Sequence, residues 1–429
     1  MEEQKVFVLD YDVVSPLGVG RSNVLSSLRK NVSSEMPISR FVTEGLDNNI
    51  ACEIKEDLSV YYRHEHPRVL NAAFYDRKLE LAVACYYLME DRLKKLTGQV
   101  PSERLGVIMG IGADVFPVEL LEQDIIGYLE KSNEPLYEII CKYNQGKCRF
   151  NTLANPFDIV SIFLAYKLRL GAFQKSVLTA CAASTQAIIL GYESIKQGEA
   201  DMVIVGGADS VINLLSFISF SKLGILAPSN SQSGRICKPF DLNRCGTIAG
   251  ESAGLCVIAG EELTKEKGFE PKFEILGFGN SLDAYRITSP DPSGDGIKRA
   301  IAGALKSSGI SPGDIDYINL HGTGTQLNDP VELKTLMEVL GENLKHIPVS
   351  STKDRHGHAI AAAGIQEFAV LCLCMENNLI PCNLNLEKPI IEEDVDLVKI
   401  QNREGIINTA MTSNFGFGGV NSSIIIKRL

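Results

Sequence analysis

The sequence predicts an α/β fold, and three observations lead to it. Short apolar runs of buried-strand length recur and end in turn residues: Val6-Phe-Val-Leu9 ahead of Ser15-Pro16-Leu17-Gly18, Arg104-Leu-Gly-Val-Ile-Met-Gly110 ahead of Gly112, and Ala200-Asp-Met-Val-Ile-Val-Gly-Gly207. Helical stretches alternate with them, one from about Ser22 to Arg29 and one, apolar almost all round, from Ala182. The strand-to-helix passage at Ser176-Val-Leu-Thr-Ala180 has a counterpart late in the chain, where Ile347-Pro-Val-Ser-Ser351 leads into a helix from about His358.

That pairing suggests an old duplication. The charged segment Glu261 to Pro271 precedes a new strand-like run, Phe273-Glu-Ile-Leu-Gly277, which places the internal boundary there and divides the chain into 1–265 and 266–429. From roughly Gly112 to Asn155 the chain is polar with few strand patterns, and irregular or partner-facing structure is expected.

Composition excludes several classes. The 429 residues are 45% hydrophobic and 22% charged, the balance of a globular chain and not of a disordered one. Lys+Arg 42 against Asp+Glu 53 gives a net charge of −11, and no basic stripe stands out, so nucleic acid is not an expected partner. The 11 cysteines sit mostly in apolar runs, as at Cys85, Cys256, Cys372 and Cys374, which reads as free thiols in a reducing compartment. Met1-Glu2-Glu3-Gln4-Lys5 lacks the pattern of an export signal, and the apolar stretch Ala359 to Met375 is short and interrupted by Gln366 and Glu367. A cytoplasmic protein without membrane association is expected.

Cys181, in Thr179-Ala-Cys-Ala-Ala-Ser-Thr-Gln186, falls where strand gives way to buried helix. The free amides and partial positive charge of a helix N-terminus favour thiolate over thiol and can stabilise an oxyanion, so Cys181 is a candidate acyl-accepting nucleophile. His321 ends the apolar run Ile315 to Leu320 and opens His-Gly-Thr-Gly-Thr325, whose glycines permit close backbone approach and whose threonines supply hydroxyls. Ser351-Thr-Lys-Asp-Arg-His-Gly-His358 adds Lys353 and two more histidines, so three of the six histidines fall in these two segments. His64-Glu-His66 and His356-Gly-His358 lack the companions of a zinc site, and no metal is expected. Asn414-Phe-Gly-Phe-Gly-Gly419 is not a phosphate-binding pattern; aromatics among glycines suggest a movable loop beside a ligand.

Taken together and in order, these motifs resemble the elongating type II β-ketoacyl-acyl-carrier-protein synthases of the thiolase superfamily. Thr179-Ala-Cys181 is similar to the nucleophile motif, and His321 to Thr325 to the first histidine motif. Ser351-Thr-Lys353 with Gly357-His358-Ala-Ile-Ala-Ala-Ala-Gly364 is similar to the second, and Asn414 to Gly419 to the gate loop. Gly206 to Asp209, Lys238 to Asp241, Gly250 to Gly254 and Asp283 to Pro290 extend the likeness, which is clearest from about Gly171 onward.

The resemblance implies a duplicated five-layer α-β-α-β-α fold, a dimer, and ping-pong decarboxylative condensation on acyl chains carried by the phosphopantetheine of an acyl carrier protein, with no separate cofactor. By the same resemblance Cys181 takes the acyl group, and neutral His321 and His358 donate to the malonyl thioester oxygen. Lys353 stands behind the histidines with Glu332 as its partner. The amides of Cys181 and Phe415 form the other oxyanion hole. Thr323 and Thr325 bind the pantetheine, while Phe415 gates an acyl pocket lined by Phe220 and Ser216.

Cys245, in Asn243-Arg-Cys-Gly246, replaces the family's usual acidic residue, and Ala183 with Gln186 is a less usual pair on the nucleophile helix. These departures leave open a ketosynthase subunit of a type II polyketide or polyene pathway, working with a chain-length partner. A non-catalytic chain-length subunit is disfavoured because Cys181, His321 and His358 are all present.

Overall fold

The computed structural model describes residues 4–113, 156–229, 235–391 and 395–429; all but the first two residues of the segment 112–155 lie outside them. Alternation at every second residue sets the strands. In β1 (Val6–Ser15) Val6 and Val8 face one apolar cluster, while Phe7 and Leu9 face another. With β2 (Leu105–Ile111), β3 (Phe173–Val177), β4 (Met202–Ser210) and β5 (Ala249–Gly260), β1 forms a sheet in the order β1-β5-β4-β2-β3. A second set, β6 (Phe273–Leu282), β7 (Tyr317–Asn319), β8 (Val349–Ser350), β9 (Thr409–Gly416) and β10 (Val420–Arg428), takes the order β6-β10-β9-β7-β8.

By position the two orders are the same, and so are the senses. In each set the first strand pairs antiparallel with the fifth and the fifth antiparallel with the fourth, while the second runs parallel to both the fourth and the third. The sets join where β1 meets β6, Val6 opposite Ile275 and Val8 opposite Phe273.

Among the described residues, eight of the helices cover or fill these sheets: α1 (Arg21–Arg29), α2 (Arg77–Thr97), α3 (Ile159–Leu168), α4 (Ala183–Lys196), α5 (Leu214–Lys222), α6 (Asp295–Ser308), α7 (Asn328–Leu340) and α8 (Ala363–Asn377). Leu81, Tyr86, Val160 and Leu164 of α2 and α3 cover the outer face of the first sheet, against Val107, Met109, Ile204 and Val257. Ile301 and Leu336 of α6 and α7 cover the outer face of the second, against Ile318, Met411 and Ile425. Ile188 and Ile189 of α4 and Ile365 to Met375 of α8 fill the space between the sheets, meeting Val203, Val205 and Ile258 on one side and Ala410, Ile424 and Ile426 on the other. The layers are therefore helix, sheet, helix, sheet, helix, the thiolase-like fold that the resemblance implied.

Residues 360–377 are apolar and long enough to suit a membrane span by composition, yet 83% of that stretch is buried, as the central layer requires. Both central helices start later than the sequence suggested, at Ala183 and Ala363. Each is preceded by a 3-10 turn, Ala180–Ala182 and Ile360–Ala362, whose first residue has positive φ, 46° at Ala180 and 41° at Ile360. β2 runs directly beneath the start of α4: a Cβ at Gly110 would lie 2.2 Å from the Ser184 nitrogen and 2.4 Å from the Ala183 carbonyl carbon. Since both obstacles are backbone, Gly110→Ala is expected to cost about 1–3 kcal/mol, seen as a lower urea midpoint; an unchanged midpoint would contradict this packing.

Candidate active site

The duplicated junctions bring the chemistry together between the sheets. Cys181 occupies the second residue of its turn, with only 4% of its surface exposed, at the start of α4. His358 stands just ahead of the matching turn and is moored by its backbone: its N–H donates to the Ile248 carbonyl at 2.8 Å and its carbonyl accepts from the Gly250 N–H at 3.0 Å. Gly357, with φ 69°, allows the chain to enter that bridge, and a Cβ there would lie 2.9 Å from the Ala249 carbonyl oxygen. The Ala361 N–H beyond it donates to the buried Asp209 carboxylate at 3.0 Å, which places the Gly-Gly-Ala-Asp motif behind the histidine.

His321 follows β7 in a loop held from below. Glu332 on α7 accepts the N–H groups of His321 at 2.7 Å and Gly322 at 2.8 Å, and Asp329 accepts those of Thr323 and Gly324. Ser351 clamps the two histidine loops by donating to the Gly322 carbonyl at 2.8 Å. The result is a convergent trio: His358 Nε2 is 3.1 Å from Cys181 Sγ, and the thiol and the two imidazoles bring ring nitrogens and sulfur within 4.8 Å of one another. The imidazole centroids are 5.3 Å apart at 80°.

Lys353, fully buried, donates to the His321 carbonyl at 2.5 Å and lies 3.3 Å from His321 Nδ1. An ammonium can only donate, so Nδ1 is the acceptor, and the ring proton sits on Nε2, the nitrogen left for the cavity. Burial, then the charge of Lys353, then the facing histidine hold both His321 and His358 well below the ordinary imidazole range, with His356 in the facing role for His358. Both rings are neutral. His358 Nδ1 has no hydrogen-bond partner among the described residues, so the tautomer of His358, unlike that of His321, is not pinned.

Three expectations change. Lys353 pairs with Glu367 of α8, fully buried beside it, and not with Glu332, whose carboxylate is taken up by the loop amides. Phe415 lies inside β9 opposite Asn421, buried edge-on to the His321 ring at 5.8 Å. It is Phe417, in the 3-10 turn Phe417–Gly419 that follows, whose backbone N–H faces the Cys181 sulfur, so the amide beside the nucleophile is that of Phe417 and not of Phe415. On α5, Phe220 packs in an apolar cluster with Phe217 and Ile360, and Ile360 reaches the wall of the cavity at Cys181. Finally, the helix end does not make Cys181 a resting thiolate. Burial outweighs Lys353 and the Phe417 amide and pushes the thiol up to about 11.

The cavity holds about 340 Å³ and is lined by the trio, Thr323, Thr325, Phe415 and Phe417, together with Cys245, Asp283 and Thr288. The Thr323 and Thr325 hydroxyls are 2.9 Å apart. Two of the other histidines make local structural bonds: His356 bridges Thr352 and the Gly357 carbonyl, and exposed His66 caps the helix Pro67–Tyr75.

A buried thiol with two imidazoles facing it is suited to acyl transfer, and comparison with known proteins points the same way. Residues 3–263 match the model of the β-ketoacyl synthase N-terminal domain and residues 273–387 that of the C-terminal domain. The chain belongs to the β-ketoacyl synthase family. It is 30% identical over 441 residues to 3-oxoacyl-[acyl-carrier-protein] synthase 2 of Rhizobium meliloti (strain 1021), covering 99% of each chain. Among solved structures it resembles a ketosynthase in complex with its type II polyketide acyl-carrier protein, at 26% identity and TM-score 0.82. The ishigamide ketosynthase/chain length factor is similar at 28% and 0.82, and each comparison covers 100% of both chains.

Two predictions test the geometry of this β-ketoacyl synthase. Glu367→Ala strands the buried Lys353 charge and should cost about 3–5 kcal/mol of stability, largely recovered by adding Lys353→Met; denaturant titration reads both. Because the thiol is pushed up to about 11, alkylation of Cys181 by iodoacetamide should rise about tenfold per pH unit between pH 7 and 9. A plateau in that interval would show a resting thiolate.

Proposed function

We propose that this β-ketoacyl synthase carries out decarboxylative Claisen condensation of an acyl group held on Cys181 with a malonyl group on acyl carrier protein, giving β-ketoacyl carrier protein and CO₂. The 3.1 Å approach of His358 Nε2 to Cys181 Sγ, with His321 facing the same point, carries the reading. In the first half-reaction Cys181 gives its proton to His358 Nε2 as sulfur attacks the acyl thioester carbonyl. The developing oxyanion is held by the amides of Cys181 and Phe417, and collapse expels the pantetheine thiolate, which leaves as thiol with the proton from His358. The unpinned tautomer of His358 suits that transfer.

In the second half-reaction the malonyl thioester oxygen accepts from His321 Nε2–H and His358. Loss of CO₂ leaves its electron pair in the enolate those donors stabilise, and the enolate carbon attacks the acyl-Cys181 carbonyl, releasing the sulfur. Thr323 and Thr325 hold the pantetheine amides, and Lys353 with Glu367 keeps His321 in its donor tautomer. Glu332 shapes the histidine loop. The nucleophile belongs to the half 1–265, and the histidines and glycine-rich turn to the half 266–429. No cofactor beyond the phosphopantetheine of the carrier is called for, the enzyme acts in the cytoplasm, and its partners are acyl carrier protein and a second, identical or homologous, subunit.

A second reading is favoured by the two solved neighbours, one bound to a polyketide carrier protein and one a ketosynthase/chain length factor. In it this chain is the catalytic subunit of a polyketide or polyene pair. Intact-mass analysis with saturated and polyunsaturated acyl carriers separates the two: extension of saturated primers by the isolated protein supports the first, and dependence on a homologous subunit or an unsaturated primer supports the second. For either, Cys181→Gln should abolish condensation and retain malonyl decarboxylation, measured as CO₂ release. Condensation at the wild-type rate would refute the assignment.

A further inference from the structure

The network behind His321 contains two residues that the mechanism above does not use. Asn414 of β9 is fully buried; its Nδ2 donates to Glu367 Oε2 at 2.7 Å and lies 3.4 Å from His321 Nδ1, while its Oδ1 accepts the Thr185 hydroxyl at 2.5 Å. Thr185 is on α4, four residues after the nucleophile, and is buried too. Room for its hydroxyl is left by Gly364 of α8, where a Cβ would lie 2.1 Å from Thr185 Oγ1.

The chemistry of each atom fixes the direction of every bond. A carboxylate only accepts, so Glu367 requires the amide nitrogen of Asn414 on its side, and the Thr185 proton requires the amide oxygen on the other. With one N–H spent on Glu367, the second N–H of Asn414 is turned toward His321 Nδ1. Two donors, Lys353 and Asn414, therefore meet that nitrogen, and a proton there would oppose both.

We propose that Asn414, oriented by Thr185, is a positioning residue that sets the tautomer and angle of His321 and thereby links the nucleophile helix to the decarboxylating donor. This rests on the condensing reading above. It touches only the second half-reaction, because His321 donates to the malonyl oxygen while the acyl transfer uses His358 and the two amides.

The test compares Thr185→Val, which removes the hydroxyl at nearly constant shape, with Thr185→Ser, which keeps it, and adds Asn414→Leu. Acylation of Cys181 is followed by intact mass and malonyl-carrier decarboxylation by CO₂ release. Thr185→Val and Asn414→Leu should lower kcat of decarboxylation by about tenfold with KM nearly unchanged, the share of roughly one neutral hydrogen bond. They should leave the acylation rate within about twofold, since that step makes no use of the bond. Thr185→Ser should behave as wild type. Equal losses in both half-reactions, or wild-type decarboxylation in Thr185→Val, would overturn the proposal. Failure of the wild-type protein to take an acyl group from any carrier would instead overturn the condensing reading.

Discussion

One buried ammonium organises the site. Lys353 has no exposed surface, and an isolated charge in that position would be untenable, so its neighbours are set by the need to satisfy it. Glu367 reaches it from the central helix, and the His321 carbonyl and Nδ1 take its remaining protons. Burial and then the same charge lower the proton affinity of both imidazoles, and the donor-only character of Lys353 leaves the His321 proton on Nε2. Stability and chemistry thus share one cause. The ion pair that makes the burial tolerable also fixes His321 as a donor facing His358, at a point where an enolate oxygen can be stabilised.

The fold supplies these groups through repetition. Both central helices begin at the same kind of junction, a residue of positive φ opening a 3-10 turn, and the turns sit back to back between the sheets. In the first copy the second residue of the turn is Cys181, exposed to the cavity. In the second it is Ala361, whose amide is tied to Asp209, and the functional residue stands earlier, at His358. One duplicated device therefore brings two different side chains to the cavity, Cys181 and His358, and backbone bonds to Ile248 and Gly250 moor the second. The glycine-rich turn after β9 adds an exposed residue, Gly418, close to the nucleophile.

Much of this was legible in the sequence. Strand-ending histidines next to glycines and a cysteine at a strand-to-helix passage are local patterns, and they located Cys181, His321, His358, Lys353 and the two threonines. The partner of Lys353 was not local. Glu367 was read as an interruption of an apolar run, although a carboxylate in a fully buried helix is itself the sign of a buried counter-charge. Phe415 and Phe417 stand in like surroundings in the chain, and only the ladder that holds Phe415 opposite Asn421 separates the strand residue from the one in the turn. The charge state of Cys181 depends on how completely the site is closed from water, which no short motif encodes.

The central claim is that His321 is a neutral imidazole with its proton on Nε2, set by Lys353. Nitrogen-15 NMR of protein labelled at histidine, with His321→Asn for assignment, tests it directly. The account predicts one protonated, pyrrole-type nitrogen at Nε2 and one unprotonated at Nδ1, unchanged between pH 6 and 8. A doubly protonated ring in that range, or a proton on Nδ1, would contradict it.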